Sequence, residues 1–246
     1  MFENLNKYKL HNSANPIFVV DSDVLIDICK MGPAKSVEER LLAQNAILIF
    51  PTVSAIEIGF GPYDQIEKDE LGYFLEMRKN IFINKFDLFA QQFSIDIKKN
   101  GTQKYSGKWV NVSPDSNIWS AAKEGLLFYM RDTQALAKNA RKLQMDFLIA
   151  SIAWNTSAFV WSNNTKDHLL ASLYRGKTIC SRNDNDFSEN RIRSISSFFR
   201  PIFNTDILTR YLNGEKIDFF SELKPFSSNR EIEMVLDHLQ INNYGR

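Results

Sequence analysis

The sequence predicts an α/β fold in three α/β/α layers: a central, mostly parallel sheet, a helical insertion and further helices at the C-terminal end. Three observations predict it. Ile17–Val20, Ala46–Phe50 and Ala158–Trp161 are short apolar runs rich in β-branched and aromatic residues, the composition of buried strands. Segments with apolar residues at helical spacing alternate with these runs, which implies right-handed crossovers between parallel strands. Acidic side chains recur near the strand ends: Asp21 after the first, Glu57 in the turns beyond the second, and Asp167 after the run ending at Trp161.

The totals bound the reading. A chain of 246 residues is long enough for a proper core, in one large domain or two small ones. With 44% hydrophobic and 24% charged residues it has the balance of a folded protein rather than a disordered one. A net charge of +1 exerts no global pull on a polyanion, so any nucleic-acid contact must rest on a local patch. Cys29 and Cys180 are the only cysteines, fit no metal spacing and read as core residues of a reducing compartment. No apolar run is long enough to span a membrane, and residues 1–7 lack the apolar core of a signal peptide. The expectation is a cytoplasmic protein with no membrane partner.

Taken in order, residues 1–16 are polar up to Pro16, and Ile17–Val20 is the first strand. A short helix follows Asp21, with Val24, Leu25, Ile28 and Cys29 on one face, and Gly32-Pro33 stops it. Residues 36–44 read as a helix with Ser36 as N-cap and Glu38 and Glu39 in its first turn. After the strand at 46–50, Pro51-Thr52 opens a helix carrying Val53, Ile56, Glu57 and Phe60. Residues 63–80 are amphipathic, 81–83 are a short strand, 86–97 are helical and 100–113 are a long loop. Residues 117–130 and 133–143 read as a helical hairpin. A helix opened by Asp146 has Ile149, Ala150 and Ala153 on one face; Asn155-Thr156-Ser157 breaks it before the strand at 158–161. A helix over 167–174 and a strand over 177–180 complete the first domain, residues 1–187, with its insertion at about 85–143. Residues 188–246 form a C-terminal extension with short helices at 207–212, 217–223 and 230–239, either an appended subdomain or a wrap around the sheet.

In a parallel sheet, residues beyond the strand carboxyl ends gather at one edge. Asp21, Glu57, Asp146 and Asp167 all fall there, with Asn164 as a supporting polar group. Each has an ordinary alternative: Asp21 or Asp23 as a helix cap, Ser54–Glu57 as a capping box, Asp146 and Asp167 as helix N-terminal charges. Capping does not explain why four carboxylates share one edge. Crowded carboxylates repel, and a divalent cation such as Mg²⁺ or Mn²⁺ resolves the conflict. Such an ion activates water for attack on a phosphodiester.

These residues resemble the PIN-domain family of metal-dependent nucleases, especially VapC-type endoribonuclease toxins. The matching pieces are Val19-Val20-Asp21-Ser22-Asp23, Ser54-Ala55-Ile56-Glu57, Asp146-Phe147-Leu148-Ile149-Ala150 and Ser162-Asn163-Asn164-Thr165-Lys166-Asp167. The resemblance implies that Asp21, Glu57, Asp146 and Asp167 bind the metal, Mg²⁺ or Mn²⁺, and that the substrate is RNA. It also implies a protein antitoxin as partner and a homodimer. Three departures stand out: a longer segment between Glu57 and Asp146, the extra tail after Phe187, and His168 where the family has an aromatic residue after the fourth acid. A second copy of the last motif, ending in Asp184 and Asp186, competes with Asp167 for that role.

Lys104 and Lys108, with Lys98, Lys99, Tyr105 and Trp109, form a stretch without acids that suits phosphates and bases; a solvated loop is the alternative. Arg141 and Lys142 precede Asp146 and are candidates for the same edge, against ordinary exposed helix charges. The rival functions are a non-catalytic PIN-like scaffold binding nucleic acid or protein, and a nuclease directed at DNA.

Overall fold

The computed structural model describes residues 16–54, 108–134, 140, 142–180, 192–193, 195–196 and 199–244. The predicted elements at 63–80, 81–83 and 86–97 and most of that at 133–143 lie outside the described residues. So do Glu57, Lys104, Arg141, Asp184 and Asp186.

The described chain begins with β1 (Ile17–Val20), α1 (Ser22–Cys29), α2 (Pro33–Ala43) and β2 (Ile47–Pro51). After the gap come β3 (Lys108–Val112), α3 (Ser116–Thr133), α4 (Gln144–Asn155), β4 (Phe159–Trp161) and α5 (Thr165–Cys180). The remaining elements are β5 (Ile202–Phe203), α6 (Thr205–Leu212), α7 (Phe219–Leu223) and α8 (Arg230–Tyr244). The five strands form one all-parallel sheet in the order β3-β2-β1-β4-β5. Helices α3, α4 and α5 pack together over one face, and α1, α2 and α6 over the other, which gives the three layers.

Side chains alternate across the central strands as the pleat requires. On one face the rings of Phe18, Phe159 and Phe203 meet across β1, β4 and β5, with Phe18–Phe159 centroids 5.5 Å apart and Phe159–Phe203 5.3 Å apart. On the other, Val19 and Val160 sit in register beneath α4. Gly125 brings α3 against α4: a Cβ there would stand 2.9 Å from the ring of Phe147. That close approach seats the start of α4, where Asp146 lies.

The turn between α1 and α2 differs from the sequence reading. α1 ends at Cys29, ahead of Gly32-Pro33, with Lys30 as its C-cap and Met31 in the left-handed region, and α2 starts at Pro33 itself, with Gly32 and not Ser36 at the N-cap. Pro at the first helical position loses no hydrogen bond and has its φ already set. The cap comes from outside the helix: Asp27 Oδ2 accepts from the N–H of Ala34 at 2.7 Å. This carboxylate occupies the space a Gly32 Cβ would need, only 1.9 Å from Asp27 Oδ1. Gly32→Ala is therefore expected to cost about 2 kcal/mol in urea unfolding through forced displacement of the cap. In an Asp27→Ala background the same change should cost much less. Additive losses would show that the carboxylate is not the obstacle.

Two strand assignments are corrected. Residues 177–180 are the last turn of α5 and not a strand. Residues 171–178 are buried without a break, so the segment shows no exposed face from which periodicity could be read. Buried Lys177 meets Asp132 at 2.5 Å and Glu231 at 3.2 Å, tying α5 to α3 and α8. Residues 108–112, expected within a long loop, are the edge strand β3, paired along its whole length with β2. Pro51, expected to open a helix, is the last residue of β2 and pairs with Val112.

The fifth strand comes from the tail. Ile202 and Phe203 pair with Val160 and Trp161. Beyond them α6 packs on α2 at one face while α8 packs on α5 at the other. Arg40 fastens the first contact by donating to Asn213 Oδ1 at 2.8 Å and to the Leu212 carbonyl at the end of α6. Of the two arrangements the sequence left open, the tail wraps the sheet and shares its core. Among the described residues no helix is long and apolar enough to cross a membrane.

Candidate metal centre

The strand order places the site. Connections run outward from β1 through β2 to β3, then return to β4 beside β1, so the order reverses between β1 and β4. Beyond the carboxyl ends of two strands at such a switch point a crevice opens. Asp21 is the first residue past β1, and Ser162 the first past β4. Asp146 enters from the first turn of α4 and His168 from the first turn of α5.

Asp21, Asp146 and His168 each place one ligand-type atom within 4.8 Å of the other two, and all three are buried. This group could hold a metal ion. His168 Nε2 lies 2.8 Å from Asp21 Oδ2 and 3.4 Å from Asp146 Oδ1. Asp21 does two jobs with two oxygens. Oδ1 accepts from the Ser22 N–H at 2.7 Å and caps α1, while Oδ2 accepts from Ser162 Oγ at 2.7 Å and faces His168. The capping and site readings of Asp21 are thus compatible.

Beyond this centre Ser162 Oγ accepts from the Asn164 N–H, and Asn164 Nδ2 donates to Asp167 Oδ2, both at 3.0 Å. Asp167 joins the site only through this chain of contacts and is not in the three-residue group. Successive helix residues point about 100° apart, and of these two neighbours it is His168 that joins the group with Asp21 and Asp146. Sequence reasoning marked His168 as a departure but did not place it in the site; the available signal was its position three residues beyond Thr165 at the head of α5. Lys142 is exposed just before α4, and Lys108 lies in β3.

Asp23, on the first turn of α1, accepts from the N–H groups of Val24 at 2.6 Å and Asn163 at 3.0 Å. Burial and then the Asp21 charge push its carboxyl up to about 6, against the pull of these N–H groups and of His168. Burial also acts to raise Asp21, but the His168 charge, with hydrogen bonds from His168, Ser162 and Ser22, holds it down at about 2. Burial disfavours the His168 imidazolium, yet Asp21 first, then Asp146 and Asp23, raise it to about 9. Nδ1 of the ring is buried and, among the described residues, has no hydrogen-bond partner.

These shifts set a pH signature for ion-free protein. The His168 contribution is complete below 6.5 and lost as pH rises through about 9. The Asp21 contribution is present above 3.8 and lost as pH falls through about 2. Asp23 opposes it, favouring the fold below 3.8 and ceasing to do so as pH rises through about 6. With EDTA present, the melting temperature is expected to fall between pH 6.5 and 9. His168→Asn should flatten that limb, and an unchanged slope in the variant would assign it elsewhere.

Chemically the cluster suits charge and metal work more than nucleophilic catalysis by serine. Ser162 hydrogen-bonds to the carboxylate and not to the imidazole, so His168 is not placed to take its proton. Compared with known protein families, curated proteins and solved structures, the chain matches none.

Proposed function

We propose that this chain is a divalent-metal-dependent endonuclease that hydrolyses phosphodiester bonds in RNA, of the PIN type that its sequence motifs resemble. The observation that carries the reading is the meeting of Asp21, Asp146 and His168 at the strand-order reversal. Two carboxylates from distant parts of the chain, buried within reach of one another, suit a cation more than a cap.

Asp21 and Asp146 would hold the ion, Mg²⁺ or Mn²⁺, which are met by few protein oxygens and keep several waters. When bound, such an ion supplies an activated water and positive charge at the leaving oxygen. The protein's part is placement. Ser22 and Ser162 fix both oxygens of Asp21. Exposed Asn164 and half-buried Asp167 offer polar groups next to the centre, suited to orienting a water or a phosphate. In this reading Glu57 completes the acidic set, and Lys104, Lys108, Arg141 and Lys142 contact the RNA backbone. A protein antitoxin, a homodimer and a cytoplasmic setting rest on the resemblance alone.

The test is incubation of labelled single-stranded RNA, structured RNA and DNA with Mn²⁺ or with chelator. Mn²⁺-dependent cleavage of RNA supports the proposal. Cleavage of DNA alone would make it a DNA nuclease, and no cleavage of any substrate would sink the enzymatic reading.

One observation favours the rival, a non-catalytic scaffold. A protonated His168 between Asp21 and Asp146 offsets one of their two charges without an ion. Thermal stabilisation by Mn²⁺ separates the two: at about 100 times its dissociation constant a bound ion adds about 2.7 kcal/mol, and a scaffold closed by the imidazolium gains nothing.

A further inference from the structure

We infer that His168 Nε2 is itself a ligand of the ion, and that this nitrogen makes the centre select Mn²⁺ over Mg²⁺. The inference rests on the metal reading above and goes beyond it in naming the ligand that discriminates between ions. Three features carry it.

The first is spacing. On an octahedral ion with bonds of about 2.1 Å, neighbouring ligand atoms stand about 3 Å apart and opposite ones about 4.2 Å. Nε2 is 2.8 Å from Asp21 Oδ2 and 3.4 Å from Asp146 Oδ1, and no pair in the group exceeds 4.8 Å. The two nitrogen–oxygen distances are those of neighbouring donors around one ion. A simple hydrogen bond accounts for the shorter contact and leaves the longer one a poor second.

The second is confinement. The His168 side chain has no exposed surface, and its backbone N–H is bonded within the first turn of α5. An ion entering between the two carboxylates therefore meets Nε2 at bonding range. Among the described residues Nδ1 finds no partner, so the polar contacts of the ring described are those of Nε2. The proton that Nε2 carries in the ion-free protein passes to solvent.

The third is donor chemistry. Mg²⁺ takes oxygen and gives up its waters reluctantly; imidazole suits Zn, Cu, Fe and Ni, and Mn²⁺, at the weak end of that first-row series, still takes a nitrogen donor more readily than Mg²⁺ does. A mixed nitrogen and oxygen set therefore penalises Mg²⁺ relative to Mn²⁺. An all-carboxylate set would not.

The experiment loads the EDTA-stripped 246-residue protein with one equivalent of Mn²⁺ and records pulsed EPR, with Mg²⁺ competition measured in parallel. Expected are a ¹⁴N coupling on bound Mn²⁺, its replacement by ¹⁵N coupling when histidine is labelled, and Mn²⁺ bound at least about tenfold more tightly than Mg²⁺. His168→Asp should abolish the nitrogen coupling and bring the two affinities together. If that variant does not fold, the labelled wild-type spectrum decides alone. Mn²⁺ bound with oxygen-only surroundings overturns the inference and leaves the metal reading standing. No Mn²⁺ bound overturns both.

Discussion

Asp146→Asn is expected to lower Mn²⁺-dependent RNA cleavage by at least about 100-fold while costing less stability than Asp21→Asn. Loss of a residue that merely supports a metal ligand already costs about 10–100-fold, and Asp146 is placed to be a ligand itself. Asparagine keeps the shape, so the packing of Phe147 against α3 is undisturbed. What disappears is one negative charge from a site whose side chains are 12% exposed at Asp146 and 7% at Asp21. Asp21→Asn should lose both activity and stability, because Asp21 also accepts from Ser22, Ser162 and His168. The contrast separates ligand from scaffold within one pair of variants. Wild-type cleavage by Asp146→Asn, with the same Mn²⁺ requirement, would remove Asp146 from the mechanism.

Glu38→Ala is expected to cost about 3 kcal/mol in equilibrium urea unfolding. Glu38 is only 2% exposed although it lies on α2. Its Oε1 accepts from Trp109 Nε1–H at 2.8 Å and its Oε2 from Lys35 at 2.6 Å. Truncation leaves the buried indole N–H without this acceptor and opens a void between α2 and β3. Glu38→Gln retains an oxygen for Trp109 and loses mainly the pair with Lys35, whose side chain is 29% exposed. That change should cost about 1 kcal/mol. Equal losses for the two variants would mean that the indole contact does not dock β3.

The central strands were legible because they are apolar, brief and bounded by turn residues. Ile17–Val20 is bounded in the structure as in the sequence, and the strand at 158–161 shifts by one residue. Failure came where burial or edges hide the pattern. Residues 171–178 of α5 are buried without a break, so the segment at 177–180 reads as strand although it is the end of a helix. Lys108–Val112 lies at a sheet edge, where Lys and Asn interrupt the apolar run, and its register depends on β2 and on Glu38 from far upstream. Asp21 and Asp146 were legible as partners because α/β topology delivers strand ends to one place. His168 was not, since choosing between adjacent positions on a helix requires knowing its rotation about its own axis.

The position of β1 at the middle of the sheet has a consequence for synthesis. Its neighbour β4 is far downstream, and the bond from Ser162 to Asp21 spans 141 residues of sequence. A ribosome therefore releases β1 long before the partner that covers its other edge has been translated. Parallel pairing at such range is slow to close. The edge of β1 that β4 covers stays unpaired until residues 159–161 have been translated.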